Sequence, residues 1–409
     1  MKRYICLVCI LLQLMTFSSC TKDTEPFYSN SEQDRDEDEI TGDDYIYHIP
    51  VIFHVLYQDK NAVDTTGKKN QYVAYSRLQE ILNNVNDLYA GKLYNFGKEK
   101  DNPSEDIHVQ FEMALYDENG KKLSTPGVEY IKYTGEYPID CNNFMSQKKG
   151  TNKIIWDPNE YINVMVYNFK ASDDAEGTTL GISHMPYTVN GYPQIEGLED
   201  GKKQNLNKNN ISFEYCLSIN SLYINYESSR YTDGKHGQEG YTYSSADINV
   251  TLAHELGHFL GLHHVFAEKK NGTSTEPADN CDDTDYCTDT KSYNKPAYDT
   301  WLKNYIKEHA NDKTFDMNDL IKRNNDQGDE WDSDNFMDYS VSLSYRFTPE
   351  QRNRMRQVLY YSPLMPGPKK NRSTTTRSQE TDKIIDLPIR LAIDKVVLPK
   401  PTTKYIYKR

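Results

Sequence analysis

The chain of 409 residues is long enough for one large domain or two ordinary ones, and its 61 acidic against 47 basic side chains leave a formal net charge of −14. That excess repels a phosphate backbone and argues against a nucleic-acid partner. Beyond residue 20 no apolar run is long enough to span a bilayer as a helix, so a body folded in water is expected.

The first residues, MKRYICLVCILLQLMTFSSC, combine Lys2 and Arg3, an apolar run too short for a comfortable span, and small residues before Cys20. This pattern is that of a secretory signal peptide over residues 1–19. Its ending, Phe17-Ser18-Ser19-Cys20, resembles the lipobox of bacterial lipoproteins. The resemblance implies cleavage before Cys20, lipid on that cysteine, and a place in the cell envelope, at the outer membrane or cell surface; a plain cleaved signal is the simpler alternative. Residues 20–45 then form an acidic tether, with SEQDRDEDEITGDD offering almost nothing to bury. Of the seven cysteines, Cys6 and Cys9 leave with the signal and Cys20 is capped. Cys141, Cys216, Cys281 and Cys287 remain, and an oxidising compartment suggests disulfides. Three connectivities stay open, with Cys281–Cys287 and Cys141–Cys216 preferred.

A folded body is expected over residues 46–366, with an upper part to about 262 and a lower part from about 263. HIPVIFHVLYQD reads as a strand, and SRLQEILNNVNDLYAG as a helix with Leu78, Ile81, Leu82, Val85 and Leu88 on one face. IHVQFEMALYDENG, YINVMVYNF and LGISHMPYT each suit a strand, so an α+β fold with a mixed twisted sheet is expected. In SSADINVTLAHELGHFLGL, Ser244 and Asp247 suit a helix start. After it come the Asp-rich ADNCDDTDYCTDT, a helix around YDTWLKNYIKEHA, DNFMDYS, and a helix in FTPEQRNRMRQVLYY begun by Thr348 and Pro349. The tail, residues 367–409, opens as a linker and ends in LPIRLAIDKVVLPKP, apolar enough for a strand of unassigned role.

The stretch TLAHELGHFLGLHHVF carries the chemistry. On a helix, His254 and His258 differ by one turn and about 40° in azimuth, so both imidazoles reach one point. A catalytic zinc takes three protein ligands and keeps an open position. A continued helix would turn residue 264 about 120° away from His258. Gly261 is suited to end the helix in the left-handed conformation and return the chain to the ion.

The full spacing is His-Glu-x-x-His-x-x-Gly-x-x-His, ending at His264, and it resembles that of the metzincin metallopeptidases. The family spacing selects His254, His258 and His264 as zinc ligands and leaves His263 outside the set. Together with YCTDT, NFMDYS and FTPEQRNRM, and with the upstream strands, HELGHFLGLHHVF resembles the pappalysin family across roughly residues 46–360. Two departures are the lack of a cysteine in SVSLSYRF and Lys291 where proline is common, and both bear on the disulfide pattern.

The resemblance implies a metzincin-like zincin fold and a zinc endopeptidase acting on extracytoplasmic proteins or peptides. Glu255 is implied as the general base, Tyr339 as oxyanion stabiliser and Met337 as a hydrophobic floor under the metal. Leu180, Gly181 and Ile182 are implied as a sheet edge that pairs with extended substrate. Asp283, Asp285 and Asp289 offer oxygen ligands suited to Ca2+, an unmetallated acidic loop being the alternative. A monomer is expected, and so is the lack of an N-terminal zymogen lock, since Cys20 is the only cysteine upstream of Cys141 in the mature chain. The rival readings are a non-catalytic lipoprotein that binds a peptide or surface ligand on the same fold, and a zincin with a glutamate as third ligand.

Overall fold

The computed structural model describes residues 44–92, 102–148, 153–171, 177–201, 206–231, 241–309, 315–339, 341–368, 384–396 and 403–407. The signal segment, Cys20 and the acidic run lie outside them. Strand β1 (Tyr47–Tyr57) is buried at every position but His48, as a strand covered on both faces requires. Helix α1 (Tyr75–Tyr89) buries Leu78, Ile81, Leu82, Val85 and Leu88, the face expected from their spacing. Strands β2 (Val109–Met113), β3 (Val128–Lys132) and β4 (Ile162–Tyr167) all run parallel to β1.

Beyond β4 the sheet reverses. β5 (Thr178–His184) lies antiparallel to β6 (Leu217–Asn220), which is parallel to β4. The short β7 (Tyr241–Ser244) leads into helix α2 (Ile248–Phe259), so Ser244 closes a strand instead of starting the helix. Asp247 caps α2 by accepting from Asn249 N. Nearly every residue of α2 is buried, so it is a central helix and not a surface one with a single apolar stripe. It packs beside α1, where Tyr89 Oη donates to Ala253 O at 3.0 Å, and under β5 and β6.

The hairpin β8 (Glu268–Asn271) and β9 (Ser274–Pro277) follows, then α3 (Lys295–Glu308) and α4 (Pro349–Tyr361). α4 opens with a reciprocal cap: Thr348 Oγ1 accepts from Gln351 N, and Gln351 Oε1 accepts from Thr348 N. The tail supplies β10 (Leu391–Val396) and β11 (Lys404–Tyr407). Among the described residues the main sheet therefore has nine strands in the order β8-β9-β10-β5-β6-β4-β1-β2, with β3 also on β1.

Two sequence expectations are corrected. β5 is not a free sheet edge, because β10 pairs along it from Leu391↔His184 to Val396↔Thr178. Nor are the expected disulfides formed, all four cysteines being thiols: Cys216 Sγ packs 3.5 Å from Met145 Sδ, and Cys287 is buried while Cys281 is not. No helix among the described residues is long and apolar enough to cross a membrane.

Candidate metal centre

α2 delivers His254, His258 and Glu255. Gly261, at φ +93°, ends the helix as its sequence position suggested, and a side chain there would press 2.7 Å from Val358 Cγ2. The chain then turns back, and His264 Nε2 meets those of His254 and His258 at 3.2 and 3.0 Å, with 2.9 Å between the helix pair. Three nitrogens around one zinc at about 2.0–2.1 Å stand near 3.3 Å apart in tetrahedral geometry, close to these separations. Among the described residues this is the one buried cluster of three side chains able to share an ion.

The other face of each ring fixes its tautomer. His254 Nδ1 donates to Phe336 O at 2.7 Å, His258 Nδ1 to Leu262 O at 2.8 Å, and His264 Nδ1 to Glu268 Oε1 at 2.7 Å. The proton is thereby held at Nδ1, and all three Nε2 lone pairs point at the shared centre. Burial first, then mutual repulsion, drives the His258 and His264 rings well below their usual range, which keeps them neutral and free to ligate. The donor set thus fits zinc. His263 faces away: its ring sits against Tyr286 and burial pushes it down to about 3, but it takes no part in the cluster.

Glu255 is fully buried, and neither carboxylate oxygen finds a hydrogen-bond partner of good geometry. Burial raises it well above the usual carboxylate range, the negative charge of Asp394 adds to the rise, and the Asp394 backbone opposes it. Met337 closes the floor, its Sδ occupying the space where any Cβ on Gly257 would lie 2.5 Å away. The turn is held by Asn335 Oδ1 accepting from Met337 N and by Asp338 Oδ1 accepting from Tyr339 N. Asp338 is itself anchored by Arg323 and Tyr293. Tyr339 stands with its ring centre 4.7 Å from that of His264 and 6.1 Å from that of His254.

Residues 216–360 match the family model Peptidase_M43, described as Pregnancy-associated plasma protein-A. This segment belongs to the pappalysin family. This is a metallopeptidase family, and the sequence-level resemblance to it holds on that stretch. No curated protein matches the chain. Among solved structures, a mutant of promirolysin from Tannerella forsythia is similar at 17% identity, over 78% of this chain and 82% of that one, with a TM-score of 0.40. Mature mirolysin from the same organism in complex with a cleaved peptide shares 18% identity over 76% and 90%, and mirolysin in complex with compound 9 shares 18% over 77% and 92%, both at 0.40.

Within the pappalysin domain the acidic loop serves structure. Asp289 accepts from Thr348 Oγ1 and Glu350 N at the start of α4, and Asp285 accepts from Cys287 N and Thr290 Oγ1. Asp283 Oδ1 accepts from Asp285 N, so all three expected calcium ligands take part in hydrogen bonds of the fold. Sequence reasoning missed Glu268 and Asp394, and gave Gly181 a different role at a substrate-pairing edge. Glu268 orients His264, and its four-residue spacing from that histidine was the available signal. Gly181 leaves room for Glu255, a Cβ there falling 2.4 Å from Oε1. Asp394, buried and lining one cavity with His254 and Thr251, comes from the unassigned tail.

Proposed function

We propose that the protein is a zinc-dependent endopeptidase, exported and lipid-anchored through Cys20 in the cell envelope, that hydrolyses peptide bonds of extracytoplasmic proteins. The observation carrying this reading is the conjunction of three tautomer-fixed imidazoles with an adjacent buried carboxylate whose two oxygens lack a hydrogen-bond partner of good geometry. An unpartnered buried carboxylate costs stability, and a role as base accounts for its retention. Zinc held by His254, His258 and His264 would supply Lewis acidity to polarise the peptide carbonyl and acidify water.

The remaining work falls to the chain. A carboxyl raised by burial ionises against a neighbouring positive charge, which the histidine site is suited to hold. Glu255 then accepts the proton of the attacking water and passes it to the departing amine. The Tyr339 hydroxyl, on the other side of the histidines, donates to the carbonyl oxygen as negative charge grows there. Met337 and Gly257 keep the floor beneath the rings dry and fixed.

The test is metal content with cleavage of an unfolded protein, with and without a zinc chelator, for the wild type and Glu255→Ala. The expected outcome is one zinc in both proteins and, once the C-terminal strand is loosened as described below, chelator-sensitive cleavage only by the chain that keeps Glu255. Zinc bound without cleavage, in the intact chain and in the tail-loosened forms described below, would favour a peptide-binding lipoprotein on the same fold.

A further inference from the structure

The tail crosses the site just described. β10 runs antiparallel to β5, in the register Ala392↔Ser183, Ile393↔Ile182, Asp394↔Gly181, and an irregularity follows between Asp394 and Lys395. Gly181 is the residue that abuts Glu255, so the register brings the middle of β10 over the base. Tyr339 Oη donates to Ile393 O, the carbonyl next to Asp394. Of the two groups expected to act on a substrate carbonyl, Tyr339 is therefore held by the tail, and Glu255 lies against Gly181, the register partner of Asp394. The Asp394 side chain, buried, lines the wall shared by His254 and Thr251.

This segment is clamped along its length. Ile385 bridges to Ile211, Pro388 O accepts from Tyr187 Oη at 2.8 Å, and Arg390 O accepts from Met185 N at 2.9 Å. Arg390 also pairs with Glu199 at 2.6 Å, and Leu391 N donates to Thr273 O. Leu391 and Val396 are buried at the two ends of the strand. β11, further on, pairs with β7 just ahead of α2. An extended peptide that adds to a sheet edge gains its hold from such main-chain bonds, and the edge can serve only one strand at a time.

Resting on the reading of the site as a peptidase, we infer that residues 384–396 are a built-in inhibitory strand that occupies the substrate track, so that the intact chain is latent until this strand is displaced. The lock is C-terminal to the domain it closes.

The experiment uses the full zinc-loaded chain in three forms: intact, with Leu391→Asp and Val396→Asp together, and with a sequence-specific protease site placed within residues 369–383 and cut after folding. Each is assayed for turnover of a fluorogenic peptide library and, separately, for affinity towards a peptide hydroxamate, which reports cleft access whether or not catalysis occurs. At least a tenfold rise in both turnover and hydroxamate affinity is expected for the substituted and cut forms, reversed by adding a peptide of residues 384–396. Equal hydroxamate affinity in all three forms would overturn the inference and leave the peptidase reading standing if the intact chain cleaves. Affinity that rises while turnover stays absent would uphold the blocked cleft and sink the peptidase reading instead. The cut form keeps the wild-type strand, so it decides the matter should the double substitution fail to fold.

Discussion

Replacing Gly181 by alanine isolates the fit between β5 and the base. An added Cβ would lie 2.4 Å from Glu255 Oε1, 2.5 Å from Cγ and 2.7 Å from Cδ. Ordinary carbon contacts begin near 3.5 Å, so the carboxylate must move by roughly 1 Å. Glu255 is fully buried on α2, so such a shift displaces the carboxylate from its seat beside His254. A misplacement of about 1 Å in a reacting group costs on the order of a hundredfold in rate, or about 2.7 kcal/mol of barrier. The three histidines are untouched, so zinc stoichiometry should stay at one, and the overpacking itself should destabilise by about 1–3 kcal/mol. The assay is kcat/KM on a peptide substrate in the tail-cut form, with metal content and denaturant unfolding measured alongside. Cleavage within about threefold of the parent, with zinc retained, would refute the claim that this glycine exists to seat the base.

Other substitutions address the remaining parts of the site. His264→Ala should abolish tight zinc binding and His263→Ala should not, as measured by competition with a chromogenic chelator; equal losses would reverse the assignment. Glu268→Gln removes the carboxylate that holds His264 Nδ1–H and should weaken zinc binding by about 10- to 100-fold, so an unchanged affinity would deny Glu268 its orienting role. His184 is buried with both ring nitrogens against the backbone of Cys216 and Met145, and burial lowers it to about 4. Its folded pKa lies below the unfolded value of about 6.5, so the stability it contributes is present above pH 6.5 and is lost as pH falls towards 4. Denaturant unfolding of the wild type should show up to about 1.4 kcal/mol per pH unit of this loss, and His184→Gln should lack it; identical slopes would contradict the account. Finally, Cys20→Ala should free the protein from the membrane fraction or block its processing, and an unchanged distribution in cell fractionation would point to a different anchor.

What could be read from the sequence was what local spacing decides. β1 and α1 follow from a continuous apolar run and a five-residue helical stripe, α4 from Thr348 and Pro349, and the turn after α2 from Gly261. The four-residue spacing of His254 and His258 on one helix likewise specifies their convergence. What could not be read depends on partners distant in sequence. Gly181 reads only as part of a strand edge until Glu255 is placed against it, and Asp394 is one charge in an unassigned segment until β10 finds β5. Asp285 and Asp289 look like metal ligands in isolation, and only the fold shows Asp289 bonded to Thr348 and Glu350, and Asp285 to Cys287 and Thr290. The cysteines failed for the same reason, since thiol pairing rests on distances that spacing does not encode.

The order of synthesis gives the tail a temporal meaning. Chains emerge from the amino end, so β5, α2 and the turn around Met337 are all available before Leu391–Val396 is made. Pairing Asp394 with Gly181 closes one of the longest loops in the molecule, a step favoured only once the body already presents a finished groove. An amino-terminal pro-segment can template the domain that follows it. A strand inserted from the carboxyl end instead acts as a test of completion, because it has a place to bind only on a molecule whose cleft has already formed.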